Sequence, residues 1–255
     1  VTFDGAGVLE SGAAAGLVYI GTSQTGSPAK QVERVKTISD DEQKARRLGK
    51  MKRNVITSAR LHVEDARRGG FRGRWAMLTL TYRDSERWVA NQVAAFLDCL
   101  RKYCTRAGFE ARYTWVLELT QRGRPHYHVL VWLPKGRTLP KPDKQGWWKF
   151  GLTRIEWARN AVGYLAKYAS KGIDDFRLLP KGARLSGFGG LSKPSRIERR
   201  WWMLPGWLRE IWNEICDVTR PPKGGGYVRR DTGEFLASPW AVYFHGGVLV
   251  LGRVL

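Results

Sequence analysis

The sequence predicts an α+β fold, with a central antiparallel sheet, helices on one face and basic helical extensions. Two observations predict it. From residue 75 onward, apolar runs and helical spacings follow the order strand, helix, strand, strand, helix, which suits a sheet covered by helices. Two of those strands flank a Gln-Arg-Gly-Arg turn at 121–124, a hairpin arrangement that makes them antiparallel neighbours. With 255 residues and 43% hydrophobic content, the chain can support one well-cored domain plus a smaller extension.

Each element has a local signature. Residues 1–29 are rich in Gly, Ala, Ser and Thr, and a poorly ordered leader is expected there. Residues 30–74 carry 14 Lys or Arg against 6 Asp or Glu and read as a basic, largely helical extension. Ala76–Tyr82 reads as a strand bounded by Arg83-Asp84-Ser85. Val89, Val93, Phe96, Leu97, Leu100 and Cys104 recur at helical spacing over 87–106, and Gly108 follows as a stop signal. Strands are expected over 112–120 and 125–134, then a Pro/Lys/Gly loop over 134–146. A single helix is expected over 154–171, opened by Thr153 and Glu156 in capping-box spacing and closed at Gly172. The core thus spans 75–175, and 176–255 forms a basic, Trp-rich extension with a helix at 205–217. Its last stretch, from Pro239, reads as a strand or hairpin or a loosely packed tail, being too short and broken for a membrane span.

Composition bounds the partners. The formal charge is +21 and the sequence pI about 10.3. Such an excess points to a polyanion, nucleic acid first and an anionic membrane surface second. The three cysteines, Cys99, Cys104 and Cys216, include no C-x-x-C pair. They read as buried small hydrophobes in a reducing, cytoplasmic setting. The N-terminus carries Asp4 and Glu10 and has no basic start, unlike a signal peptide.

Two clusters carry chemistry. Pro125–Trp132 sets His126 and His128 at i and i+2 on a strand, with Tyr127, Val129 and Val131 on the other face. On its own this pattern also describes two hydrogen-bonded histidines. The preceding strand adds Glu118, one carboxylate in the apolar run Trp115–Leu119, costly to bury unless paired or metal-bound. In a hairpin closed around 121–124, Glu118 lies opposite either 126 or 128, and each register puts it on the face of both histidines. Two imidazoles and a carboxylate suit a divalent ion, Mg²⁺ or Mn²⁺ in function.

The second cluster is Asn160–Lys171, which holds Y-x-x-K twice, as Tyr164/Lys167 and Tyr168/Lys171. On a helix, Ile155, Ala158, Val162, Leu165 and Ala169 form an apolar stripe. Tyr164 and Tyr168 are i, i+4 neighbours set about 100–140° away from its centre. Tyrosines packed in the core would lie on the stripe instead. A free phenol has a pKa near ~10, and nearby lysines or a metal favour the phenolate and stabilise charge in an in-line displacement. Two tyrosines permit a second transfer without releasing the first adduct.

Basic and aromatic residues also interleave outside these clusters. Residues 177–230 hold 12 Lys or Arg against 4 Asp or Glu, with Arg199, Arg200, Trp201 and Trp202 in a row. Such a set suits single-stranded DNA, although Trp207 and Trp212 are spaced like one flank of a packed helix. Trp201 and Trp202 either stack bases or pack inward. Arg122 and Arg124 flank the hairpin turn, where they can grip DNA near the scissile phosphate.

The ordered motifs resemble the HUH endonuclease superfamily of rolling-circle replication initiators, most of all those of filamentous and isometric single-stranded DNA phages. Leu78–Tyr82 resembles the first motif, a largely structural strand. Glu118 with Pro125–His128 resembles the second, the metal-binding strand with its acidic ligand. Tyr164–Lys171 resembles the third, in its two-tyrosine form. The likeness covers roughly residues 75–175. It implies a ferredoxin-like or RRM-like core and site-specific nicking of one strand at a replication origin. It also implies a 5′-phosphotyrosine, a freed 3′-OH that primes synthesis, and rejoining of the product. The partners implied are single-stranded origin DNA and a host helicase and polymerase, since the sequence has no G-x-x-x-x-G-K-[ST]. Rival readings are a relaxase or transposase with the same chemistry, a non-enzymatic basic nucleic-acid binder, and a membrane-surface binder.

Overall fold

A computed structural model of the chain describes residues 8–9, 17–20, 30–83, 87–171, 178–222, 224–245 and 248–254. In chain order its elements are β1 (Val8–Leu9), β2 (Leu17–Ile20), β3 (Lys30–Ile38), α1 (Asp40–Arg68), β4 (Gly73–Leu80), α2 (Gln92–Arg106), β5 (Tyr113–Leu119), β6 (Pro125–Pro134), β7 (Thr153–Ala158) and α3 (Ala161–Lys171). There follow β8 (Ser186–Gly189), α4 (Lys193–Trp202), α5 (Gly206–Ile211), β9 (Val218–Thr219), β10 (Gly226–Arg229), β11 (Phe235–Ala237), β12 (Trp240–His245) and β13 (Val248–Val254). The chain is α+β, and it divides into two compact units, one of residues 47–215 and one of 1–46 with 216–255.

The unit of residues 47–215 is built on a five-stranded antiparallel sheet in the order β7-β4-β6-β5-β8. β6 is central, and Val129–Leu133 are all buried, as a strand covered on both faces requires. α1 and α3 lie against one face. Ser58 of α1 meets Thr114, the His62 ring lies edge-on to Trp75, and Tyr168 of α3 stacks on His128. α2 lies against the other face, where Arg101 donates to the Tyr113 hydroxyl, and Phe96 packs through Trp148 onto Tyr127. The expectation that all helices share one face is therefore corrected. Tyr113, Trp115, Tyr127 and Val129 alternate with the other apolar set, so the sheet has two apolar faces to cover.

The helices form for local reasons. α1 opens on Asp40, Asp41 and Glu42, which complement the positive helix end, and the Ser39 hydroxyl accepts from the Glu42 amide. Met51, Val55, Ser58, Ala59, Leu61 and His62 form its buried stripe. α2 starts five residues later than the spacing suggests. The Gln92 side chain accepts from the Val89 amide and the Tyr82 hydroxyl, and this holds 87–91 out of the helix. It stops at Gly108, whose φ of 79° lets the Phe109 amide turn back to the Cys104 carbonyl.

The single helix expected over 154–171 is two elements. Thr153–Ala158 pairs with the open edge of β4, in register from Trp75↔Ala158 to Leu80↔Thr153. The helix begins only after Asn160, whose side chain accepts from the Gly163 amide. Glu156 pairs with Arg154 rather than capping a helix. Ile155 and Ala158 fit an apolar helix stripe and a strand equally well, and the unpaired amides of β4 decide between them. The helix expected at 205–217 is the short α5, preceded by α4, which starts at the Ser192 cap.

In the unit of residues 1–46 and 216–255, one sheet runs β1-β2-β3-β13-β12 and another runs β11-β10-β9. Lys30–Ile38 is thus a strand, and helix in the 30–74 stretch begins at Asp40. β12 and β13 form the hairpin that is one reading of the C-terminal stretch. Most of the expected 1–29 leader lies outside the described residues, apart from β1 and β2. After Ile211 the described elements of the C-terminal extension are strands rather than helices, because their backbones find partners in these two sheets. No helix among the described residues is long and apolar enough to cross a membrane.

Candidate functional site

The hairpin closes so that Glu118 stands directly opposite His126, with Val116 opposite His128. This settles the register that spacing leaves open. Partners across an antiparallel ladder share a face, so Glu118, His126 and His128 project together toward α3. Thr79 of β4 is opposite His128 on the other side, and its Oγ1 lies 3.3 Å from His128 Nδ1.

Glu118 and His128 are buried, at 7% and 3% exposure. His128 Nε2 is 2.6 Å from Glu118 Oε2, and Lys171 Nζ donates to Glu118 Oε1 at 2.5 Å. Burial alone would push the Glu118 carboxyl up. The hydrogen bonds from His128 and Lys171 outweigh it and hold the group down at about 2. The carboxylate is therefore ionised at neutral pH although buried. His126 is half-buried, and burial followed by the neighbouring His128 lowers its pKa below the usual imidazole value.

α3 brings the third element. Ala161, Leu165 and Ala169 are buried in the core, which turns the Tyr168 face onto the histidine strand. The Tyr168 ring lies flat on His128, centroids 3.5 Å apart at 11°, and Lys171 Nζ is 5.5 Å from the Tyr168 ring centre. Tyr168 is half-buried. Burial and then the Glu118 charge raise its phenol above the ordinary value, while Lys171 acts in the opposite direction. Tyr164, one turn earlier, is more open at 37% exposure, and Lys167 is exposed. The two tyrosines that look equivalent by spacing thus differ, and Tyr168 is the one at the histidine cluster.

The donor set fits a divalent ion in kind, with two imidazoles and an ionised carboxylate on one sheet face. In this arrangement, however, Glu118 is engaged by Lys171 and His128, and the His126 and His128 ring centres are 6.4 Å apart. Among the described residues, no group of three or more His, Cys, Asp or Glu side chains is arranged to hold a metal ion.

The remaining site candidates fall in different places. Arg122 is exposed in the β5–β6 turn, and Arg124 is half-buried beside it, close enough for its charge to lower the His126 pKa. Arg199 of α4 is turned inward. Its Nε donates to Asn54 of α1, its guanidinium lies 4.2 Å over the Phe188 ring, and burial lowers its pKa. Trp201 is buried at 5%, whereas Trp202 is 41% exposed and donates to Glu198. Arg200 is half-buried. Two residues at the cluster escape a reading of the sequence. Thr79 sits in a strand that reads as structural, although a hydroxyl alternating with Leu78 and Leu80 is a usable signal. Glu156, whose charge acts on Tyr168, reads as part of a helix cap.

The comparisons bear on this same stretch. Residues 75–173, from β4 through α3, match the family model of the ORF2-type replication-associated proteins. Over these residues the chain is similar to replication-associated proteins, and the match supports a replication-initiator family. No curated protein and no solved structure matches the chain.

Proposed function

We propose that this protein initiates replication by nicking one DNA strand through tyrosine attack on a phosphodiester. The observation that carries the reading is the stacking of Tyr168 on His128 with Glu118 and Lys171 hydrogen-bonded around it. All four lie within the stretch similar to replication-associated proteins.

In the proposed step, the Tyr168 phenol oxygen attacks the scissile phosphorus and gives up its proton to solvent. The bond from phosphorus to the 3′ oxygen breaks, and that oxygen leaves as a 3′-OH after taking a proton. The 5′-phosphate stays on the tyrosine. Rejoining is the reverse: a 3′-OH attacks the phosphotyrosine, and the phenol departs with a proton. Lys171 supplies positive charge beside the phenol and the phosphate. Lys167 does the same near Tyr164, which would take the second transfer. Glu118, His126 and His128 would hold Mg²⁺ or Mn²⁺, which when bound neutralises charge on the scissile phosphate. Thr79 and Glu118 fix the His128 ring from two sides.

A covalent-adduct assay tests the proposal. The purified chain is incubated with single-stranded DNA covering its genome's candidate origins, with Mn²⁺ or Mg²⁺ or with EDTA, and resolved on denaturing gels. A slower protein band is expected that needs the metal and vanishes in the double Tyr164→Phe, Tyr168→Phe variant. DNA binding without any adduct in the wild type would leave a non-enzymatic binder.

A further inference from the structure

The sheet has a second chemically loaded end. The open depression lined by Phe71, Arg72, Gly73, Arg74, Lys135 and Gly136 has a volume of about 600 Å³. It lies where β4 begins and β6 ends, whereas the histidines sit where β6 begins. From Thr79, opposite His128, back to Arg72 is seven residues along the chain, or about 23 Å at ~3.3 Å per residue.

The register concentrates cations there. Arg74 is opposite Leu133, and the Lys135 amide bonds to the Arg72 carbonyl, extending the ladder by one more pair. Strand alternation then puts Arg72, Arg74 and Lys135 on one face. Trp157 of the edge strand β7, opposite Ala76, is on that face too. All three cations are exposed, and no acidic residue lines the depression among the described residues.

Two aromatic rings are left open among them. Phe71 is 47% and Trp157 42% exposed, although single exposed apolar residues are ordinary by themselves. What sets these apart is how they are held. The Arg74 guanidinium lies over the Trp157 ring at 3.3 Å, and the buried Arg112 lies over Phe71 at 4.7 Å. Arg112 Nη1 is itself buried without a hydrogen-bond partner. Rings fixed in place beside a row of exposed cations are the components that bind single-stranded nucleic acid, in which phosphates meet cations and bases stack.

We propose that Arg72, Arg74, Lys135, Trp157 and Phe71 form a second contact surface for single-stranded DNA, separate from the tyrosine site. The proposal rests on the reading that the chain acts on single-stranded DNA. A strand engaged at both places spans at least about seven nucleotides at ~3.4 Å each. The surface would hold flanking DNA while the reacting phosphate lies at Tyr168.

The test is fluorescence anisotropy of the full chain with labelled oligonucleotides of about six and about thirty nucleotides, over a salt series. The variants are Arg72→Glu with Lys135→Glu, Trp157→Ala and Trp157→Phe, each with its melting temperature measured. The charge reversal should weaken binding of the long oligonucleotide about tenfold or more. It should also flatten the salt slope by about 1.4, at ~0.7 per lost phosphate contact. Trp157→Ala should weaken it about tenfold and Trp157→Phe much less. Binding of the short oligonucleotide and adduct formation on it should persist. Unchanged affinity and slope for the long oligonucleotide, with adduct formation intact, would overturn this surface alone. A wild type that neither binds single strands nor forms an adduct would overturn the underlying reading as well. Loss of binding to anionic vesicles, with DNA binding untouched, would assign the surface to a membrane and refute the proposal.

Discussion

Glu118 offers a quantitative test of the site without any knowledge of the DNA. Its carboxyl falls from an ordinary 4.5 to about 2 in the folded chain. A group with a depressed folded pKa stabilises the native state above its unfolded value, and that stabilisation is lost as pH falls toward the folded value. At ~1.4 kcal/mol per pH unit, the drop corresponds to at most about 3 kcal/mol. Solvent screening at the half-exposed Lys171 trims this to about 2–3 kcal/mol. The contribution is fully present above about pH 4.5 and gone near pH 2. The perturbation is Glu118→Gln in metal-free protein, since the amide keeps the shape and cannot titrate. Urea unfolding followed by tryptophan fluorescence, from about pH 7 down to about pH 2, gives the stability of both proteins. Other carboxylates, Asp65 among them, also titrate, so the informative quantity is the gap between wild type and variant. That gap should be about 2–3 kcal/mol at neutral pH and close as pH falls through the window from 4.5 to 2. A gap that stays constant across the series would refute the carboxylate's coupling to His128 and Lys171.

Three further outcomes follow from the same structure. His62 is fully buried, and burial lowers its pKa to about 4. Its contribution is complete above about 6.5 and is lost as pH falls toward 4, and His62→Asn should abolish that portion of the pH dependence in the same unfolding series. Lys171→Met removes the ammonium from Glu118 and Tyr168. Single-turnover adduct formation should slow by roughly 10–1,000-fold while oligonucleotide affinity changes much less. Gly151→Ala would drive a methyl into the Thr81 carbonyl where 150–152 pairs with 81–83, and it should cost about 1–3 kcal/mol in thermal or urea unfolding.

The sequence by itself determined the parts of the protein whose signals are local. The Glu118, His126, His128 set could be placed on one sheet face because alternation along two strands joined by a short turn leaves no other choice. α2 was legible from its apolar spacing and from Gly108. The two tyrosines were legible as a pair because helical spacing of four residues aligns them.

Only the tertiary structure decided the rest, since those outcomes depend on partners distant in the chain. Thr153–Ala158 became a strand because β4 presented unpaired backbone groups, a demand that no local pattern at 153–158 reveals. Trp201 went inward and Trp202 outward, although the two adjoin and spacing treats them alike. Arg199 became a bridge to Asn54 of α1, 145 residues away in sequence. Tyr168 rather than Tyr164 reached His128 because Leu165 and Ala169 fixed the rotation of α3 against the sheet. Spacing states which side chains share a face. Which of them meets a given neighbour is set by how the buried surfaces of separate elements pack, and that information is spread over the whole chain.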